Sequence, residues 1–73
     1  MNNSVDYNKA IAMGQLEAGL KNYEMAKNLS ITKEYFSSLK NDPKKRPSLD
    51  LIEGVALQSG MRLSQLIALG ESK

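Results

Sequence analysis

The stretch from Asn22 to Lys40, NYEMAKNLSITKEYFSSLK, decides how this chain folds. Met25, Ala26 and Leu29 recur at helical spacing, Phe36 and Leu39 do so again, and Ile31 stands between the two groups. Thr32 supplies a hydroxyl that can cap the free N–H groups of a new helix. Asn41-Asp42-Pro43 stops that helix, because proline lacks an N–H and clashes with the preceding turn. The stretch therefore predicts two short helices, near 22–29 and 32–41, meeting across Ser30 and Ile31. Three features make this pair more specific than an ordinary helical hairpin. Ala26 is small where the two helices must approach. Met25, Leu29, Ile31, Phe36 and Leu39 all point into a shared core. Lys33, Glu34, Ser37 and Ser38 keep the opposite face of the second helix polar.

Working outward, a first helix is expected from about Val5 to Gly19, with Ser4 as N-cap and Asp6 complementing the helix dipole. Tyr7, Ile11, Gly14 and Ala18 form one stripe, but Met13 and Leu16 fall off it, so the buried face is not uniquely specified. Gly19 closes the helix and Leu20 turns inward. Downstream, Ser48 caps a fourth helix, Leu49 to about Gln58, whose apolar face is Leu51, Ile52, Val55 and Ala56. Ser59-Gly60 breaks it. A last helix, Leu63 to Leu69, presents Leu63, Leu66 and Ile67. No alternating run suggests a strand. The reading is an all-α, compact bundle of about five short helices in one domain, residues 4–70, with a polar tail at 71–73. Its expected core is Met25, Ala26, Leu29, Ile31, Phe36, Leu39, Leu51, Ile52, Val55, Leu63 and Leu66.

Composition narrows the function. With 73 residues there is room for one small core. The chain has no Cys and no His, which removes disulfides, Cys/His zinc sites and Cys or His nucleophile–base pairs. Its carboxylates and lysines are scattered, with no pair beside a pocket-forming element, so an enzyme is not expected. Neither a signal peptide nor an apolar run long enough for a membrane is visible. The expectation is a cytoplasmic protein without cofactor, metal, membrane partner or small-molecule ligand. Net charge is only +2, but Thr32 to Arg46 holds five cations (Lys33, Lys40, Lys44, Lys45, Arg46) against two anions (Glu34, Asp42). The remainder holds five cations and six anions, so positive charge is concentrated in this one segment.

On these residues the chain resembles the lambda-repressor-like, or Cro/XRE-type, helix-turn-helix DNA-binding family. The resemblance runs from Ile11 to Gly70. Gly19-Leu20 is similar to the family's glycine-leucine turn, and Asn22 stands where the family has a phosphate-contacting Gln. Lys45-Arg46-Pro47-Ser48 resembles its basic-proline link, and Ser59-Gly60-Met61 with Leu63-Ser64-Gln65-Leu66 its closing pattern. Three positions depart from it. Ser30 occupies a turn position where Gly is usual and φ is often positive. Lys21 replaces the common Ser or Thr cap, leaving Asn22 to cap the second helix. Gln15 and Lys40 stand where many members pair an Arg with an acid, so that ion pair is absent.

The resemblance implies a sequence-specific transcriptional regulator, a Cro-like or prophage-type repressor, binding a palindromic double-stranded operator as a dimer. Thr32, Lys33, Glu34, Ser37 and Ser38 would read bases in the major groove, Lys33 donating to guanine and Glu34 accepting from cytosine. Asn22, Tyr35, Asn41, Lys44, Lys45 and Arg46 would hold the backbone and set register. Met61, Leu63, Ile67 and Leu69 would form the contact of a homodimer that is weak off DNA. An antitoxin, a restriction-modification controller and a protein-interaction module are the alternatives on the same fold. The last of these calls for an apolar face in place of the Lys, Glu and Ser found here.

Overall fold

The computed structural model describes residues 5–71, which form five helices and no strand. They are α1 (Tyr7–Ala18), α2 (Asn22–Asn28), α3 (Lys33–Asn41), α4 (Leu49–Ser59) and α5 (Leu63–Leu69). α1 packs on α4 and α5, α2 packs on α3, and all of them share one core.

Local chemistry explains most helix limits. Asp6 caps α1, its carboxylate accepting the Lys9 N–H at 3.0 Å. The first helix thus starts two residues later than expected, and the anticipated cap, Ser4, lies outside the described residues. Thr32 and Ser48 cap α3 and α4 through their hydroxyls, which accept from Tyr35 N–H and Leu51 N–H. α2 begins differently from the expectation. Lys21 is its N-cap and Asn22 its first helical residue, and the Glu24 carboxylate reaches back to the Lys21 N–H at 2.8 Å. α5 repeats this device, Gln65 accepting the Arg62 N–H at 2.8 Å. A side chain at the third helical position satisfies an orphan donor that the cap residue itself cannot.

Gly19 and Gly60 end α1 and α4 in the left-handed region, φ 68° and 70°. Ser30 does the same after α2, with φ 61°, the one non-glycine positive φ among the described residues. The surrounding bonds form a Schellman turn: Ile31 N–H donates to Ala26 O at 3.0 Å and Ser30 N–H to Lys27 O at 3.1 Å. The sequence places Ser where the geometry favours Gly.

Ala10, Ile11, Met25, Ala26, Phe36, Leu39, Leu51, Ile52, Val55, Ala56 and Leu66 are buried. Leu29, Ile31 and Leu63, expected inside, are half-buried at the core's margin. Beyond the expected core, Ile11 and Ala56 come from the expected apolar stripes of α1 and α4, and Ala10 is the one buried hydrophobic that no stripe included. It is buried where α5 and its closing Gly70 cross the start of α1, and there the Asp6 N–H donates to Gly70 O at 2.8 Å. Glu71 forms an isolated bridge with Val5. Gly14 is the close approach of α1, since a methyl there would stand 2.7 Å from both Leu66 Cδ1 and Val55 Cγ1. That fixes which α1 stripe is buried and leaves Leu16 exposed.

Two substitutions test this packing. Ser30→Gly is expected to stabilise the domain by about 0.5–1 kcal/mol, relief of left-handed strain exceeding the added entropy of the unfolded chain. Thermal unfolding should rise by several degrees, and a fall would contradict the turn geometry. Ala26→Leu forces a larger side chain between α2 and α3 and is expected to cost about 1–3 kcal/mol. An unchanged denaturant midpoint would mean that the two helices meet elsewhere.

Candidate nucleic-acid interface

α3 has two faces of opposite character. Phe36 and Leu39 are buried, whereas Lys33 and Glu34 are exposed and Ser37 and Ser38 half-buried. The polar face does not stand alone. Lys33, Glu34, Ser37, Ser38 and Asn41 line an open cleft of about 810 Å³ together with Lys21, Asn22 and Tyr23 from the start of α2. Four of the five expected base-reading residues and two of the expected backbone-holding residues therefore share one concave surface. Thr32 is exposed beside the cleft, its oxygen committed to capping α3. Within the cleft, Asn41 Nδ2 donates to Ser37 Oγ at 3.3 Å, which orients both groups.

Lys44, Lys45 and Arg46 are exposed on the loop that follows α3. Lys45 Nζ lies 5.8 Å from the centre of the Tyr35 ring, within cation–π range, so Tyr35 steadies a loop cation from outside the cleft. Asn8 on α1 fastens the loop. Its Nδ2 faces the carbonyls of Leu39, Asp42 (3.2 Å) and Lys45 (3.0 Å). The Leu39 carbonyl belongs to the last turn of α3, where helical partners run out, so Asn8 acts as a cap supplied from another helix. Asp42 completes the loop, its carboxylate accepting Lys44 N–H and its carbonyl accepting Lys45 N–H, both at 3.0 Å.

The fifth cation of the segment, Lys40, goes elsewhere. Its ammonium donates to Gln15 Oε1 at 2.6 Å and to Asn22 Oδ1 at 2.7 Å, and lies 5.2 Å from the centre of the Phe36 ring. Gln15 Nε2 donates in turn to Leu20 O at 3.0 Å and Asn22 Oδ1 at 2.8 Å. Burial among these groups lowers the Lys40 pKa from the ordinary lysine range. The position expected to lack the family's ion pair thus holds a cation among neutral amides. This also changes the expectation for Asn22, whose side-chain oxygen is engaged inside while the residue lines the cleft.

Met61, Leu63 and Leu69, expected in the dimer contact, are half-buried and pack against the protomer's own core. Ile67 is half-buried beside a shallow groove lined with Tyr7, Arg46, Pro47, Leu49 and Ile52. The large apolar side chains most exposed among the described residues are Leu57 (80%), Leu16 (73%) and Leu49 (58%), none of them in the polar cleft. Lys21, Tyr23 and Asn8 are the site residues missed in the sequence. Tyr23 and Lys21 flank Asn22 and were legible by adjacency, whereas Asn8 acts across more than thirty residues.

No protein-family model matches this chain, and neither a curated protein nor a solved structure is found similar to it. The functional reading therefore rests on the residues themselves.

Asn8→Ala leaves the Leu39 carbonyl without its donor and is expected to cost about 1–3 kcal/mol. Hydrogen exchange should accelerate at the Lys44 and Lys45 amides. Unchanged protection there, with unchanged stability, would show that Asn8 does not hold the loop.

Proposed function

We propose that this protein is a sequence-specific DNA-binding regulator of the helix-turn-helix type, with α3 as its recognition helix. What carries the reading is the sharing of one cleft by Lys33, Glu34, Ser37 and Ser38 of α3 with Asn22 and Asn41, beside a loop of three exposed cations. A helix that commits its apolar face to the core and its polar face to a concave, donor-rich surface suits a major groove. Lys33 donates to guanine O6 or N7, Glu34 accepts from cytosine N4, and Thr32, Ser37 and Ser38 add short contacts of low specificity. Asn22, Asn41, Lys44, Lys45 and Arg46 bond to phosphates and set register, with Tyr35 holding Lys45 in place.

One such helix reads only a few base pairs, so two copies bind a palindrome with half-sites about one helical turn apart. The pairing surface draws on Ile67 and the exposed Leu49 beside it, and it is small, which makes the dimer firm only on DNA. In this role the protein acts in the cytoplasm as a repressor that occupies an operator and excludes polymerase. A prophage regulator, an antitoxin and a restriction-modification controller all use this chemistry. The protein-interaction alternative is disfavoured because α3 contributes Lys, Glu, Ser and Asn to the cleft and the exposed leucines lie outside it.

The experiment separates reading from holding. On the duplex that the protein binds best, Lys33→Ala is expected to relax preference at one base pair per half-site, at a cost of about 1–3 kcal/mol. Lys45→Ala is expected to weaken all duplexes alike and to reduce the slope of log K against log salt by roughly 1 per protomer. Altered base preference with Lys45→Ala, and none with Lys33→Ala, would contradict the docking of α3.

A further inference from the structure

We propose that Lys40 and Gln15 are positioning residues that aim the Asn22 carboxamide at one phosphodiester of the bound duplex, without touching the DNA themselves. The proposal rests on the DNA-binding reading above and names how one of its backbone contacts is built.

Two donors converge on one atom. Lys40 Nζ and Gln15 Nε2 both bond to Asn22 Oδ1, at 2.7 and 2.8 Å. A flipped carboxamide would set its own N–H₂ against an ammonium and another amide N–H, so the orientation is determined by the network. Asn22 Nδ2 is therefore the end that remains for the cleft. Gln15 is fixed in the same way, since its Nε2 must reach Leu20 O and its Oε1 must receive Lys40. Each amide in the chain has one possible orientation.

Placement separates the three roles. Asn22 lines the cleft with Ser37, Ser38 and Asn41, whereas Gln15 and Lys40 line a different hollow with Leu16 and Leu20. The lysine stands behind the asparagine, on the side away from the cleft. Its charge still acts through the shared atom. A cation on Oδ1 draws electron density from the amide and strengthens its N–H groups as donors, as polarised hydrogen-bond chains do. The bonded partners of Lys40 are neutral oxygens, so no carboxylate cancels its charge within the network. An anion is the ligand that benefits from both effects. Held in advance, the Asn22 side chain also loses little rotamer freedom on binding.

The test combines four variants on the best-bound duplex, with thermal unfolding checked for each. Asn22→Ala and Lys40→Met are each expected to weaken binding roughly tenfold, the scale of one hydrogen bond to a charged group. The double variant should fall within about twofold of either single one, because both remove the same contact. Independent, multiplying losses would overturn the proposal. Asn22→Asp protects the test from folding artefacts. It keeps an oxygen for Lys40 and Gln15, so the domain stays folded, but it turns a second oxygen toward the phosphate. Its affinity should drop below that of Asn22→Ala, and wild-type affinity would overturn the assignment.

Neutral methylphosphonates placed one at a time along the duplex identify the phosphate. One position should cost the wild type roughly tenfold and cost Asn22→Ala and Lys40→Met nothing further. Full sensitivity at every position in Lys40→Met would overturn the positioning role while leaving DNA binding intact. A wild-type protein that binds no duplex at low salt would remove the DNA-binding reading and this proposal with it.

Discussion

The turn between α2 and α3 constrains everything around it. Ala26 accepts the Ile31 N–H while lying 1% exposed, and Ser30 takes a left-handed φ so that this bond can form. With that bond in place, Met25, Phe36 and Leu39 enter one core and the residues at 33, 34, 37 and 38 must face outward. A two-helix unit of this size cannot bury enough apolar surface alone. α1, α4 and α5 supply the remainder, meeting closely at Gly14, where α1 has no side chain between it and Val55 and Leu66. The outward face of α3 is polar because its inward face is fully committed, so exposure of that surface costs the fold little.

Around this unit, two sets of long-range hydrogen bonds tie α1 to the proposed DNA-facing surface. Asn8 holds the end of α3 and the loop of Lys44, Lys45 and Arg46. Gln15 holds Lys40 and Asn22. Both are neutral amides on the same helix, about two turns apart, and each bridges elements that a groove contact would load. An ion pair at the Gln15–Lys40 position would bring a second desolvated charge, whose cost can exceed the attraction gained. A neutral amide avoids that cost and keeps the positive charge of Lys40 uncancelled.

Much of the architecture was legible because it is written locally. Thr32, Ser48, Gly19, Gly60 and Pro43 punctuate the chain, and each acts within a few residues of itself. Ser30 was legible through the resemblance alone, which marks its position as one where glycine is usual and φ is often positive. The first helix was harder: Met13 and Leu16 compete with Ile11 and Gly14 for the buried stripe, and only the approach of α4 and α5 settles which side turns inward. Ala10 was missed for the same reason. Asp6 caps α1 where the chain meets Gly70, a contact between distant parts of the chain that no local signal encodes. The cleft on α3 followed from the helical period. Its supports did not, because Asn8 and Gln15 act on partners 25 to 37 residues away along the chain, apart from the Leu20 and Asn22 contacts of Gln15. Leu63 was expected both in the core and at the dimer contact, and its half-buried place at the core's margin, shared by Met61 and Leu69, depends on how α5 packs against α1 and α4, which no local signal encodes.

The central claim is that the polar cleft of α3 reads DNA sequence. The most direct measurement is repeated selection of bound duplexes from a fully randomised pool at low salt, followed by sequencing. The account predicts enrichment of an inverted repeat whose half-site centres lie about one helical turn, roughly 10 base pairs, apart. Retention that depends only on salt, with no sequence enriched, would contradict it.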